Sequence, residues 1–244
     1  MAAGPLILYG CAAHPVDLGG APPRGHIATQ PGRPGVVIAA PHGNSDARTG
    51  EIAAEIARRT GFGLVVATGF ALEPDTPGRP GRRYQVNRPR EGVPGNGPSM
   101  EAATEDARRV YEAYERRVRE VAQGPLEFYA EIHGNGGHQS AGRIEIATVG
   151  VERAHAVQLR ELLELIREAH LSADREAPRL EILVEPADTL RYAASGAKRD
   201  GILRLPARAL HIELPRAART EWRALYTAIL ADFLAQAATL RPLR

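Results

Sequence analysis

The chain has 244 residues, 43% of them hydrophobic and 25% charged, with a formal net charge of +2. That length and balance suit one large α/β domain spanning 1–244 with a buried core. The near-neutral charge gives no strong pull toward nucleic acid or an acidic membrane surface. Cys11 is the only cysteine, which excludes a disulfide framework and a cysteine-rich metal site. No apolar run approaches membrane-spanning length, and the first residues carry no basic segment, so a cytoplasmic protein without membrane or nucleic-acid partners is expected. Lys198 is the sole lysine among 31 basic residues. Genome bias explains that skew, and it makes any single arginine weakly informative.

In chain order, Leu6–Tyr9 reads as an edge strand and Asp17–Pro34, rich in Gly and Pro, as a loop. Val36–Ala40 is a run of β-formers suited to a buried parallel strand. It ends at Pro41-His42-Gly43-Asn44, residues that do not continue a strand. A helix follows through about Arg59, with Ile52, Ala53, Ile56 and Ala57 at helical spacing. Gly61–Thr68 is the next buried strand, and Gly69–Pro98 a long irregular segment. Ser99–Gln123 is predicted as a helix capped by Ser99, with Gly124 beyond its last turn. Strands are expected at Leu126–Ile132, Arg143–Val149, Leu180–Val184 and Arg208–Leu214, and helices at Glu152–Ala169 and Thr220–Thr239. The alternation predicts a three-layer α/β/α fold around a central mixed, mostly parallel sheet.

Three predicted strand ends carry titratable groups. His42 and Asp46 sit where a strand gives way to a helix, the edge at which open α/β sheets bind ligands. Glu131 and His133 share one strand face, as do His211 and Glu213, because side chains alternate along a strand. If the three strands are neighbours, His42, Asp46 and His133 converge on one metal ion and leave a fourth position open, as catalytic zinc requires. Glu213 is then the carboxylate that moves the proton. Other readings stay open. Asp46 is also a candidate helix cap, Glu51 an alternative ligand, and His138 a replacement for His133. His14, His26, His155 and His170 are read as surface residues.

Four stretches in register resemble the N-formylglutamate amidohydrolase family, over about residues 35–240. They are Pro41-His42-Gly43-Asn44-Ser45-Asp46 with Thr49–Ala53, then Tyr84-Gln85-Val86-Asn87-Arg88-Pro89, then Glu131-Ile132-His133-Gly134, and last Ala209–Leu214. The first stretch is also similar to phage poly-γ-glutamate hydrolases. The resemblance implies a zinc carboxypeptidase-like fold, zinc on His42, Asp46 and His133, and Glu213 as general base and acid. It also implies a substrate carboxylate held by Asn87 and Arg88, with Arg90 able to stand in for Arg88. In this sequence Asp46 stands where glutamate is more usual, Gln85 where aspartate is common, and His211 where glutamine is frequent.

Position alone suggests that Arg82 or Arg83 polarises the scissile carbonyl. It also suggests that Tyr192–Asp200, a flexible loop carrying Lys198, closes over a bound acid. The expected activity is zinc-dependent hydrolysis of a formamide or amide bond in a small carboxylate substrate. A zinc peptidase or γ-glutamyl hydrolase is the alternative enzyme, and a non-catalytic polyanion binder the alternative outside catalysis.

Overall fold

The computed structural model describes residues 11–19, 24–43, 45–76, 81–93, 100–172 and 176–240. Among these residues eight strands form one mixed sheet: β1 (Ala12–Pro15), β2 (His26–Gln30), β3 (Arg33–Ala40), β4 (Phe62–Thr68), β8 (Phe128–Gly134), β9 (Arg143–Val149), β10 (Glu181–Val184) and β11 (Arg208–Leu214). Their order across the sheet is β1-β2-β4-β3-β8-β11-β9-β10. The four central strands, β4-β3-β8-β11, run parallel, while β2, β9 and β10 run the other way. A small second sheet joins β5 (Arg83–Tyr84), β6 (Glu91–Gly92) and β7 (Glu101–Ala102).

Alternation divides the core in two. Val36, Ile38 and Ala40 of β3, Phe128, Ala130 and Ile132 of β8 and Leu210, Ile212 and Leu214 of β11 pack on one face. Helices α1 (Thr49–Thr60), α3 (Arg153–Leu171) and α6 (Arg223–Ala237) cover that face. Val37, Ala39, Tyr129 and Ala209 point to the other face, covered by α2 (Glu105–Ala122) and the segment around α4 (Ser195–Asp200). This is the predicted three-layer arrangement. The order of strand addition reverses between the parallel strands β3 and β8: β4 follows β3 on one side, and β8 lies on the other. In such sheets the crevice at the strand ends of that reversal is the ligand position.

Several boundaries differ from expectation. The Leu6–Tyr9 strand lies outside the described residues, as does Ser99. Helix α2 starts at Glu105 instead, and the Thr104 side chain accepts a hydrogen bond from the Ala107 N–H. The Asp17–Pro34 loop contains β2, whose partners β1 and β4 pair it on both sides. Tyr192–Asp200, expected to be a loop, ends in α4. The short helix α5 (Arg216–Arg219) precedes α6. His155 is buried inside α3 rather than on the surface. No helix among the described residues is long and apolar enough to cross a membrane.

Candidate metal centre

The predicted neighbours β3, β8 and β11 are adjacent, and their carboxyl ends bring the titratable groups together. Register places His211 opposite Glu131 and Glu213 opposite His133. All four face the α2 layer, as strand parity requires. From β3 the chain turns at Pro41–Gly43. Asp46 N–H donates to the His42 carbonyl at 2.9 Å, folding the Asp46 carboxylate back beside the imidazole. The helix-cap alternative is settled here. The Asp46 carbonyl, not its carboxylate, accepts from the Thr49 hydroxyl at 2.8 Å.

The Asp46 carboxylate Oδ2 lies 3.2 Å from His42 Nδ1 and 3.5 Å from His133 Nδ1, and accepts the Gly134 N–H at 3.2 Å. The opposite nitrogens differ. His42 Nε2 sits 3.0 Å from the Gln85 carbonyl oxygen, the arrangement of a metal-binding histidine, in which one nitrogen faces the ion while a carbonyl or carboxylate holds the other. His133 Nε2 lies 3.2 Å from Glu131 Oε1, an ion-pair distance without hydrogen-bond geometry. The His42 and His133 rings meet edge to face, 81° apart with centroids at 4.9 Å, so both Nδ1 atoms turn toward Asp46.

A second cluster, Glu131, His133 and His211, lies deeper. Its geometry is poor for a cation. His133 and His211 stack at 4.1 Å and 28°. Imidazole lone pairs lie in the ring plane, so two stacked rings do not converge on one ion. Glu131 is already committed. Its Oε1 receives the Asn87 amide at 3.2 Å and lies 2.6 Å from His211 Nδ1, and its Oε2 receives the Tyr129 hydroxyl at 3.1 Å. Tyr129 in turn shares a 2.9 Å hydrogen bond with Tyr114. His211 Nε2 lies 3.1 Å from Glu213 Oε1, so Glu213 is anchored beside the outer cluster through the inner one.

Charge follows this arrangement. Burial works against the Asp46 carboxylate, but the His42 charge and hydrogen bonds from both imidazoles outweigh it and hold the acid well below the usual carboxylate range. Glu131 is likewise opposed by burial and held low by the His133 charge and by hydrogen bonds from His133 and His211. Burial also opposes the charged form of His133. The Glu131 charge and hydrogen bonds to Asp46 and Glu131 override it, and the imidazole is pushed up to about 10. Without a metal, a proton on His133 balances the two acids.

The turn Gln85-Val86-Asn87 serves both rings. It closes with an Asn87 N–H to Gln85 C=O bond of 2.5 Å, and Val86 adopts φ 58°. A β-branched residue with positive φ is strained by about 1–3 kcal/mol. The conformation aims the Gln85 carbonyl at His42 and the Asn87 amide at Glu131.

The predicted substrate-contacting residues separate. Arg83 is buried beside the outer cluster, with Nη1 3.8 Å from Asp46 Oδ1 and Nη2 donating to Asp75 at 2.8 Å. Its Nε is buried and unpartnered. With His42, Phe70 and Tyr84 it lines a cleft of about 260 Å³. Asn87 is turned inward to Glu131. The Arg88 fork, expected to face a substrate acid, is filled by Glu101, with Nε donating at 3.1 Å and Nη2 pairing with the other oxygen. Arg90 pairs with Asp200, and Lys198 with Glu185. Arg82 is exposed and pairs with Glu73 and Glu91. Glu51 is exposed and pairs with Arg48 and Arg223, and His138 is exposed on the turn His138–Ser140. Neither joins a metal-binding group.

The parallel strands at the centre of the mixed sheet, with two imidazoles and a carboxylate at their carboxyl ends, define a candidate mononuclear metal centre on a three-layer α/β/α fold. No family model matches the sequence, and no curated protein matches it. Solved structures do resemble it. A bacteriophage poly-γ-glutamate hydrolase superposes with a TM-score of 0.51 at 13% identity, covering 88% of this chain and 90% of that one. A metallo-carboxypeptidase from Burkholderia cenocepacia superposes with a TM-score of 0.49 at 10% identity, covering 96% of this chain and 66% of the other.

Proposed function

We propose that the protein is a zinc-dependent amide hydrolase acting on a small carboxylate substrate, such as an N-formyl amino acid. One observation carries the reading: His42 and His133 both present Nδ1 beside Asp46, with His42 Nε2 held by the Gln85 carbonyl and His133 Nε2 lying 3.2 Å from the Glu131 carboxylate. A two-nitrogen, one-oxygen set suits zinc and leaves a coordination position for substrate or water. When bound there, the ion supplies Lewis acidity that polarises a carbonyl and makes water nucleophilic near neutral pH.

The protein groups do the rest. Glu213, beside His133 in register and held by His211, takes the proton from the attacking water and returns it to the leaving nitrogen. Arg83, the buried cation of the cleft, meets the negative charge that develops on the carbonyl oxygen or the carboxylate of the substrate. Asn87 and Arg88 shape the wall of the site through Glu131 and Glu101 rather than by direct grip.

The test is zinc-dependent release of formate from N-formyl-glutamate by protein first stripped of metal and then reloaded. Formate release only with metal supports the proposal. The likeness to the phage hydrolase favours one second reading, cleavage of γ-glutamyl bonds. Glutamate released from γ-glutamyl oligomers with no formate from the formyl substrate selects that reading. No metal-dependent hydrolysis of either rejects both.

A further inference from the structure

Arg219 is 7% exposed. Among the described residues no carboxylate lies within ion-pair distance of it. Its donors go instead to three backbone carbonyls from three separate segments. Nε donates to Leu214 at 3.1 Å, Nη1 to Ala47 at 2.9 Å and Nη2 to Asn135 at 3.0 Å. Each acceptor lies within two residues of a residue of the candidate site. Ala47 follows Asp46, Leu214 follows Glu213, and Asn135 stands two residues beyond His133. The Leu214 carbonyl also accepts the Asn135 N–H at 3.0 Å, closing the link between β8 and β11.

The neighbouring chain is shaped to admit this guanidinium. A Cβ at Gly134 would lie 2.5 Å from Arg219 Cζ and 2.6 Å from its Nε. A side chain at 134 would therefore displace the guanidinium by close approach, with no backbone strain. A buried guanidinium lacking an acid partner is costly unless its geometry repays the cost. Here the remaining charge balance comes from farther off: burial lowers the Arg219 pKa, while the Asp46 and Glu213 charges raise it. A planar fork with fixed donors reaches three carbonyls at once, which a single ammonium does not.

We propose that Arg219 is a positioning residue that staples the turn between β3 and α1 to the ends of β8 and β11, holding Asp46, His133 and Glu213 at the spacing a metal ion needs. This rests on the metal reading above, and it concerns the chain's own residues rather than turnover.

The experiment measures zinc affinity by chelator competition and the visible absorption spectrum of the cobalt(II)-loaded protein. It compares wild type, Arg219→Ala, Arg219→Lys and Gly134→Ala. Arg219→Ala is expected to bind zinc about 10–100-fold more weakly, as loss of groups that orient metal ligands does. Its cobalt spectrum should shift while far-ultraviolet circular dichroism stays native. Millimolar methylguanidinium should restore both affinity and spectrum, and Arg219→Lys should not restore them. Wild-type affinity and spectrum in either Arg219 variant overturn the proposal. If Arg219→Ala does not fold, Gly134→Ala decides: weakened zinc binding in a folded protein supports the staple, and unchanged binding overturns it. Absence of zinc binding by the wild type removes the metal reading and this inference with it, an outcome distinct from a wild type that binds while the variants bind equally well.

Discussion

His133 belongs to two clusters built from the same residue types, and the two could hardly be used more differently. In the outer one, His42, Asp46 and His133 meet edge to face around a carboxylate that accepts one backbone N–H. In the inner one, His133 and His211 stack beside Glu131, whose oxygens are taken by an amide, a phenol and the His211 Nδ1. The outer cluster has lone pairs to give. The inner cluster has spent its own on orienting the outer one. Residue type does not identify a metal ligand; unspent, convergent lone pairs do.

The comparison breaks most visibly with His133→Ala or His42→Ala. Each should abolish stoichiometric zinc binding in metal analysis of purified protein, whereas His211→Ala should retain it. Glu213→Gln should keep its zinc and lose turnover by about 10²–10⁴-fold, the range for a general base; retained turnover would remove Glu213 from the chemistry. Glu131→Gln should still bind zinc but about 10–100-fold more weakly, because it removes the negative charge beside the His133 ring without removing a ligand.

A pH measurement sharpens the same contrast. In the metal-free protein His133 is held up to about 10, above its ordinary 6.5. Its contribution to stability is therefore complete below about 6.5 and lost as pH rises through the folded value. A metal on Nδ1 requires that proton to leave. Zinc binding at pH 7 should release about one proton from His133, and zinc affinity should climb with pH. Calorimetry in two buffers of different ionisation enthalpy reads the number directly. The smallest effect expected is that of His211→Gln: less than about a tenfold change in zinc affinity, since an amide also bridges Glu131 and Glu213.

Much of this was legible from the sequence because it depends on strand parity and local turns. The Val36–Ala40 run, the break at His42 and the face-sharing of Glu131 with His133 and of His211 with Glu213 are all set within a few residues. What stayed hidden depends on partners far along the chain. β2 is a strand because β1 and β4 pair with it, despite its Gly- and Pro-rich surroundings. Val86 has strong β propensity, yet it takes φ 58° because the carbonyl of Gln85 must reach His42. Arg88 matches a family motif, but Glu101, thirteen residues on, fills its fork. Among the described residues Arg219 bonds only to main-chain carbonyls, which leave no signature in residue identity.

Anomalous diffraction at the zinc edge, on crystals grown with zinc, tests the central claim most directly. One peak bonded to His42, Asp46 and His133, with Glu213 beside it, is the predicted result. A peak among Glu131, His133 and His211, or no peak at either cluster, would contradict the account.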